Sequence, residues 1–152
     1  RTVGAAVTEL AVRCRRSRQL ALTDARYLDA IQGVRAVAES KASRHELIAE
    51  IARQLTDLLE LRSCRFEANR FGGLPRLEHD GRLRVGESYW DVDQYGMPDR
   101  TVELLASVSG QVHGRLLLEP TPGVIPSRDA RRCAVVLVSQ LAAVLGAYRQ
   151  VA

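Results

Sequence analysis

The sequence predicts an α+β fold, in which an antiparallel sheet of about five strands packs against helices and follows a long N-terminal helix. Three patterns support this. Residues 2–40 contain no proline. Two later segments show the apolar spacing of amphipathic helices, and the stretch between them alternates apolar and polar residues around short turns. Apolar residues make up 46% of the chain and aromatic residues only 5%, so aliphatic side chains must fill the core.

The opening helix is predicted over residues 2–40, where Gly4 and Gly33 are the only glycines. Its length would be about 55–60 Å at 1.5 Å per residue, whereas a typical globular helix has about 11–12 residues. We therefore divide the chain into an N-terminal signalling helix, residues 1–42, and a folded domain, residues 43–152. A helix of this length without cover of its own is expected to pair with a second copy.

The apolar spacing of the opening helix is similar to a coiled-coil seam with irregular steps, which is typical of a signalling connector. The last helix is apolar on more than one side, so part of it is also expected to face a second subunit. The alternative is a single amphipathic helix that lies on its own domain. The predicted homodimer interface consists of Val3, Val7, Leu10, Leu20, Tyr27, Ile31, Val34, Leu141, Leu145 and Tyr148.

A basic cluster follows the first apolar residues of the opening helix, and the whole chain carries a net charge of +4. An apolar stretch followed by arginines is typical of the cytoplasmic end of a membrane span, although the stretch is shorter than the about 20 residues that a span needs. We expect a cytoplasmic domain of an inner-membrane protein; the alternative is a solvated basic helix face. Nucleic-acid binding is not expected, because no aromatic residues interleave the cluster. The arginines expected at an anionic membrane surface are Arg13, Arg15, Arg16 and Arg18.

The second helix is predicted from about Arg44 to Leu61, because Ser43 and Glu46 have the spacing of a capping box. The same string faintly resembles the phosphoacceptor box of histidine kinases, with His45 at its centre. The proline that normally follows is absent, as is any nucleotide-binding loop, and the capping box explains the pattern without chemistry. The apolar stripe of this helix is formed by Leu47, Ile48, Ile51, Leu55, Leu58 and Leu59.

Short strands occupy the middle of the chain. The first is predicted over Ser63–Asn69, and Asp80-Gly81 between two alternating runs predicts a hairpin, because this dipeptide favours positive φ. A second hairpin is predicted from residues 101–108 and 111–119 across Ser109-Gly110. The interval between the hairpins, residues 86–100, is predicted to be a loop.

The final helix is predicted from about Arg128 to Gln150. Ser127 is a favourable N-cap residue, and Asp129 in the first turn complements the helix dipole. A proline-rich connection, residues 120–126, precedes it.

No arrangement of residues indicates catalysis or a metal centre, so the chain is predicted to be non-catalytic and to need no cofactor or metal. Cys14, Cys64 and Cys133 lack metal-type spacing and indicate ordinary thiols in a reducing compartment, with Cys64 the one most expected to be inward and inert.

Candidate ligand contacts centre on Trp90, the only tryptophan, which can wall a small pocket from a loop or a strand edge. The competing interpretation is that Trp90 plugs the end of the sheet. His113 either points into a cavity or lies on the exposed face, and the alternation of its neighbours favours exposure. The candidate ligand-binding residues are Phe66, Tyr89, Trp90 and His113.

Several strings resemble a known family. The order of helix, sheet and closing helix after a long connector is similar to the GAF domain of bacterial sensor proteins. More narrowly, the chain resembles actinobacterial sensor-kinase-like proteins that carry a four-helix membrane domain of the potassium-sensing histidine kinase type. The strings are Thr8-Glu9-Leu10-Ala11-Val12-Arg13, Leu61-Arg62-Ser63-Cys64-Arg65-Phe66-Glu67, Arg76-Leu77-Glu78-His79-Asp80-Gly81, Trp90-Asp91-Val92, Gly96-Met97-Pro98 and Pro120-Thr121-Pro122-Gly123.

The resemblance implies a sensory or relay and dimerisation module of a membrane-anchored bacterial signal-transduction protein. It transfers no catalytic residue. Ligand-binding GAF domains place lid helices where this chain has only residues 86–100, so a cyclic nucleotide, haem or bilin is not expected. The alternatives are a small-molecule receptor with a pocket near Trp90, Phe66 and His113, and a regulatory fragment of a histidine kinase.

Overall fold

The computed structural model of the chain describes residues 28–33 and 43–151, with side chains as far as Ala147. Residues 28–33 are helical. The elements that follow are α1 (Arg44–Leu59), β1 (Ser63–Glu67), β2 (Arg76–Leu77), β3 (Leu83–Val85), β4 (Ser88–Trp90), α2 (Val92–Tyr95), β5 (Val102–Val108), β6 (Gln111–Glu119) and α3 (Arg128–Val151).

The sheet has six strands in the order β1-β6-β5-β2-β3-β4. Every neighbouring pair is antiparallel except β2 and β5, which are parallel. The predicted antiparallel sheet of about five strands is therefore one strand short and differs in the parallel β2–β5 pairing. The connection over residues 68–75 is long enough to carry the chain past two strand positions, since eight residues span up to about 26 Å and strands lie about 4.8 Å apart.

The interval predicted as a loop, residues 86–100, contains a third hairpin and a short helix. Gly86, with φ of 62°, and Glu87 form the two-residue connection between β3 and β4, and Val85 pairs with Ser88. The side chain of Asp91 accepts a hydrogen bond from the backbone N–H of Gln94 and so caps α2.

The helices cover one face of the sheet. Alternate residues of β5 and β6 are buried between the sheet and α1 and α3, and these helices also pack against each other. The capping box of α1 is confirmed, because the side chain of Ser43 accepts from Glu46 N and that of Glu46 accepts from Ser43 N. The helix ends at Leu59, two residues before the predicted end, because Glu60 adopts the left-handed conformation with φ of 51°. The core residues contributed by β5 and β6 are Val102, Leu104, Ala106, Leu116 and Leu118.

The helical segment 28–33 has a partner within its own chain. Ala30 is only 4% exposed and belongs to the core cluster, and Ile31 is half-buried against it. A Cβ atom on Gly33 would lie 3.3 Å from Gln54 Nε2 of α1. For these residues the expectation of a helix without intramolecular cover is wrong. The remaining predicted interface residues of the opening helix lie outside the described residues: Val3, Val7, Leu10, Leu20, Tyr27 and Val34.

The last helix also needs a correction. Leu141 is fully buried and Leu145 is 4% exposed, because both pack inside the chain. The prediction that these two leucines form a dimer interface is therefore wrong, because they could contact a second subunit only if the core opened. The third predicted residue of this helix, Tyr148, has a side chain outside those described. Within the described residues, Arg128–Ala147 is long and apolar enough to cross a membrane, yet half of it is buried, as in a core helix. The outward face of α3 carries Arg132, Val136, Ser139, Ala143 and Ala147.

Candidate ligand pocket on the outer face of the sheet

The sheet face that points away from α1 and α3, here called the outer face, carries a row of six side chains, of which all but one are polar. The strands bring one residue each into register across the whole sheet, so these side chains share a face. Three of the six are arginines and one is a glutamate. From β1 to β4 the row is Arg65, Leu117, Glu103, Arg76, Arg84 and Tyr89.

Glu103 is the centre of this row and is fully buried. Its Oε1 accepts hydrogen bonds from Arg76 Nε at 3.0 Å and Arg76 Nη2 at 2.8 Å. Its Oε2 accepts from Arg115 Nη1 at 2.9 Å and from the backbone N–H of Gly72 at 3.1 Å. Burial alone would raise the pKa of Glu103, but the hydrogen bonds from Arg115, Arg76 and Gly72 outweigh it and hold the pKa below its ordinary value. The carboxylate is therefore ionised and has four donors.

Arg115 ties the row to β1 and to the connecting loop. Its side chain is 9% exposed, and its Nη2 lies 3.4 Å from Glu67 Oε2. Its Nη1 also donates to the backbone carbonyl of Gly72 at 3.4 Å. Its Nε has no acceptor among the described residues. Gly72 thus holds loop 68–75 on the outer face. Its backbone N–H donates to the carboxylate of Glu103, and its carbonyl accepts from Arg115.

A pocket of about 360 Å³ opens beside Glu103. This volume is near the lower end of the range for small-molecule sites, about 300–1,000 Å³. Loop 72–75 forms one wall, and the end of β3 with Gly86 forms another. The charged side chains at the pocket are Arg76, Arg84, Arg100 and Glu103.

Tyr89 and Trp90 lie together at the other end of the row and line a separate depression of about 250 Å³. The Tyr89 hydroxyl accepts from Arg84 Nη2 at 3.0 Å and donates to Glu78 Oε2 at 3.2 Å. Glu78 also accepts a hydrogen bond from Arg84 Nε, and the Arg82 guanidinium lies 4.3 Å from the centre of the Tyr89 ring. Tyr89 is therefore held rigidly beside the outer-face pocket.

Trp90 faces the opposite side of β4, in register with Leu83. Its indole N–H donates to the carbonyl of Gly96 at 2.8 Å, and its ring centre lies 5.7 Å from that of Tyr95. The side chain is 38% exposed. Trp90 thus braces the turn after α2 and leaves part of its ring at the surface.

Phe66 and His113 do not join Tyr89 and Trp90. Phe66 lies on β1 and Trp90 on β4, which are the two edges of the sheet and are about 24 Å apart at 4.8 Å per strand. His113 is half-buried and lies close to α3, where a Cβ on Gly146 would be 3.4 Å from its Nε2. The four candidate ligand-binding residues therefore do not form one site: Phe66 lies on β1, His113 beside α3, and Tyr89 and Trp90 on β4.

The expectation that His113 lies on the exposed face is wrong because of a bulge. Ala106 pairs with Gly114 and Ser107 with Val112, which leaves His113 as an extra residue in β6. An extra residue shifts the alternation of sides along a strand, so the pattern of neighbours does not predict the side on which His113 lies.

The residues of this site are not among the candidates that the sequence predicts: Arg76, Arg84, Arg100, Glu103 and Arg115. One signal was present: Glu103 directly precedes the apolar run Leu104–Ala106 and Arg115 the apolar run Leu116–Leu118, and a charged residue in a buried strand is normally paired. Which residues pair with them depends on the β2–β5 contact, which joins positions 27 apart. Among the described residues no group of His, Cys, Asp or Glu is arranged to hold a metal ion.

Comparison with known proteins supports the fold. No protein-family model matches the chain, and no curated protein matches it. A solved structure that does match is the GAF domain from an Acinetobacter phosphoenolpyruvate-protein phosphotransferase. It is 15% identical, has a TM-score of 0.53, and aligns with 82% of this chain and 95% of that one. The chain therefore has a GAF-like fold, which confirms the expectation drawn from the resemblance.

Proposed function

We propose that this chain is a non-catalytic sensory or relay module of a membrane-anchored bacterial signalling protein and that it acts as a homodimer. The observation that carries the proposal is the separation of a polar pocket on one face of the sheet from the helical layer on the other. The GAF-like fold supports a sensory or regulatory role, and the basic cluster Arg13–Arg18 supports a membrane-proximal position on the cytoplasmic side.

The central strand β5 links the two faces. Glu103 contacts loop 68–75 and lies at the pocket, while its neighbours Val102 and Leu104 are buried in the core beneath α3. A change at the pocket that moves Glu103 must also move these two side chains, because they share one backbone. The proposed signal is a small shift of α1 and α3 against the sheet, of the kind that helix packing transmits between two discrete arrangements.

Light scattering on the 152-residue chain tests the dimer. We expect a mass of twice 16.8 kDa at micromolar concentration. Lysine at both Val7 and Leu10 should shift the mass toward the monomer, because these residues lie on the predicted seam. The matched control places lysines at Ala5 and Val12, which lie on the opposite side of the heptad pattern. A monomeric parent chain, or equal effects of the two double variants, would contradict the proposed dimer.

A second candidate function is a receptor that binds its ligand at the Tyr89–Trp90 depression. It is favoured by the partial exposure of both aromatic rings, 45% and 38%. Because Trp90 is the only tryptophan, a ligand there should change its fluorescence, whereas a ligand confined to the outer-face pocket should leave it nearly unchanged. The full reading frame would show whether the module regulates a histidine kinase or another effector.

A further inference from the structure

We infer that the outer-face pocket binds a small organic anion, one with a carboxylate or phosphate group, and that Arg100 is its principal recognition residue. The inference deepens the proposed sensory function by naming the class of ligand, and so it rests on that function. Its basis is the distribution of hydrogen-bond donors and acceptors around the pocket.

The single acidic residue among those lining the pocket has no capacity left for a ligand. Both carboxylate oxygens of Glu103 already accept two hydrogen bonds each, from Arg76, Arg115 and Gly72. A cationic or donor-rich ligand would have to displace one of these donors from a buried carboxylate, which is unfavourable because a buried ionised group needs all of its partners. The pocket is therefore poorly suited to cations.

The arginines that line the pocket, in contrast, have N–H groups that donate no hydrogen bond to the described residues. Arg100 is exposed at the pocket and has no hydrogen bond or ion pair within the described part of the chain. Arg76 and Arg84 use Nε and Nη2 in their pairings and leave Nη1 without an acceptor among the described residues. Three guanidinium groups with unused N–H donors around one cavity match the paired oxygens of a carboxylate or phosphate.

The walls allow a small ligand to approach the backbone. A Cβ atom placed on Gly72, Gly73 or Gly86 would meet nothing within 4 Å. These three glycines therefore face open space at the rim of the pocket. The volume of about 360 Å³ suits a metabolite of a few carbon atoms better than a large cofactor.

The experiment measures thermal stabilisation and calorimetric binding of the 152-residue chain at constant ionic strength. The probes are succinate with its neutral analogue succinamide, and glycerol phosphate with glycerol, so that the two pairs separate a carboxylate from a phosphate ligand. The chains are the parent, Arg100→Gln and Arg53→Gln. The last removes the same charge from the exposed surface of α1, where Arg53 forms only surface ion pairs.

We expect at least one of the two anions to raise the melting temperature and its neutral analogue not to do so, since a ligand that binds the folded state stabilises it. Arg100→Gln should weaken that binding by about tenfold or more, which corresponds to about 1.4 kcal/mol, and Arg53→Gln by less than about twofold. The inference is overturned if neither anion binds, or if the two variants weaken binding equally, which would indicate general attraction to a basic protein. A dimer that binds no anion would refute this inference and leave the proposed relay function standing, and an anion-binding monomer would do the reverse.

Discussion

Gly114 of β6 lies directly against the ring of Phe66 of β1: a Cβ atom at Gly114 would be 2.3 Å from Phe66 Cζ. The two residues lie on the helix-covered face, next to the bulge that turns His113 toward α3. The absence of a side chain at Gly114 therefore lets the Phe66 ring approach the backbone of β6 closely. Phe66 is thus a packing residue at the edge of the core.

Gly114→Ala should lower the free energy of unfolding by about 1–3 kcal/mol, the usual range for overpacking. In a Phe66→Leu background the same change should be less harmful, because the shorter side chain leaves room for the methyl group. Urea unfolding of the four chains of this double-mutant cycle gives the coupling energy. A coupling near zero would show that Phe66 does not limit the space at Gly114.

Glu103→Gln should lower the free energy of unfolding at pH 7 by about 2–4 kcal/mol, because it leaves Arg76 and Arg115 without their shared buried counter-charge. The amide keeps the size of the side chain, so lost packing does not contribute. The control is Glu87→Gln, an exposed carboxyl in the β3–β4 turn, which should change stability by less than about 0.5 kcal/mol. Equal effects of the two variants would contradict a buried network around Glu103.

The pH dependence of the free energy of unfolding should reflect the ionisation of Glu103. Because the pKa of Glu103 is lower in the folded state than its ordinary value of 4.5, the unfolded chain takes up the proton first as the pH falls. The stabilisation is therefore fully present above about pH 4.5 and is lost below it. Asp80, whose pKa the Arg82 backbone and side chain hold at about 2, adds to the loss at still lower pH. Urea unfolding between pH 7 and pH 3 should show a smaller decline in Glu103→Gln than in the parent; parallel declines would contradict the assignment.

Arg131 of α3 forms hydrogen bonds to both the β2–β3 hairpin and α2. It is 3% exposed, its Nη1 donates to the Gly81 carbonyl at 2.7 Å and its Nη2 to Asp93 Oδ1 at 2.7 Å. Lysine cannot hold both acceptors, because it lacks the planar fork of arginine. Arg131→Lys should lower the free energy of unfolding by about 1–3 kcal/mol, and Arg128→Lys, at an exposed position on the same helix, by less than about 0.5 kcal/mol. Thermal unfolding of both variants checks this, and a fully stable Arg131→Lys would rule out a stabilising role for these hydrogen bonds.

The two described cysteines should be unreactive in the folded chain. Burial raises the pKa of Cys64 to about 12 and that of Cys133 to about 11, so neither forms an appreciable thiolate at pH 8. In a Cys14→Ser chain, iodoacetamide should label the folded protein at least about 100-fold more slowly than the urea-unfolded protein, whose thiols have a pKa of about 8.5. Fast labelling of the folded chain would show that one of these sites opens readily.

Local signals in the sequence were reliable where a few neighbouring residues determine the structure. The capping box at Ser43 is present in full. The Ser109-Gly110 turn has φ of 52° and 77°, as a two-residue hairpin requires. The Asp80-Gly81 hairpin is also confirmed, but only Gly81 has positive φ, and Asp80 instead accepts from the Arg82 N–H through its side chain.

Pairings between distant residues could not be predicted in the same way. The parallel contact of Arg76 with Glu103 creates the polar row and the pocket, and no local pattern encodes it. The hairpin at Gly86-Glu87 was missed although a glycine between two alternating runs is a turn signal. The prediction that His113 lies on the exposed face is wrong at the bulge, because one extra residue in a strand changes the side on which the next side chain lies.

Hydrogen exchange of the 152-residue chain, with and without saturating succinate or glycerol phosphate, whichever binds, tests whether the outer-face pocket communicates with the helices. We expect slower exchange in segments 72–76, 84–86 and 100–104, together with altered exchange in α1 and α3, which contact the core side of β5. Protection confined to the Tyr89–Trp90 segment, or protection at the pocket with no change in either helix, would contradict a pocket that signals through the sheet to the helices.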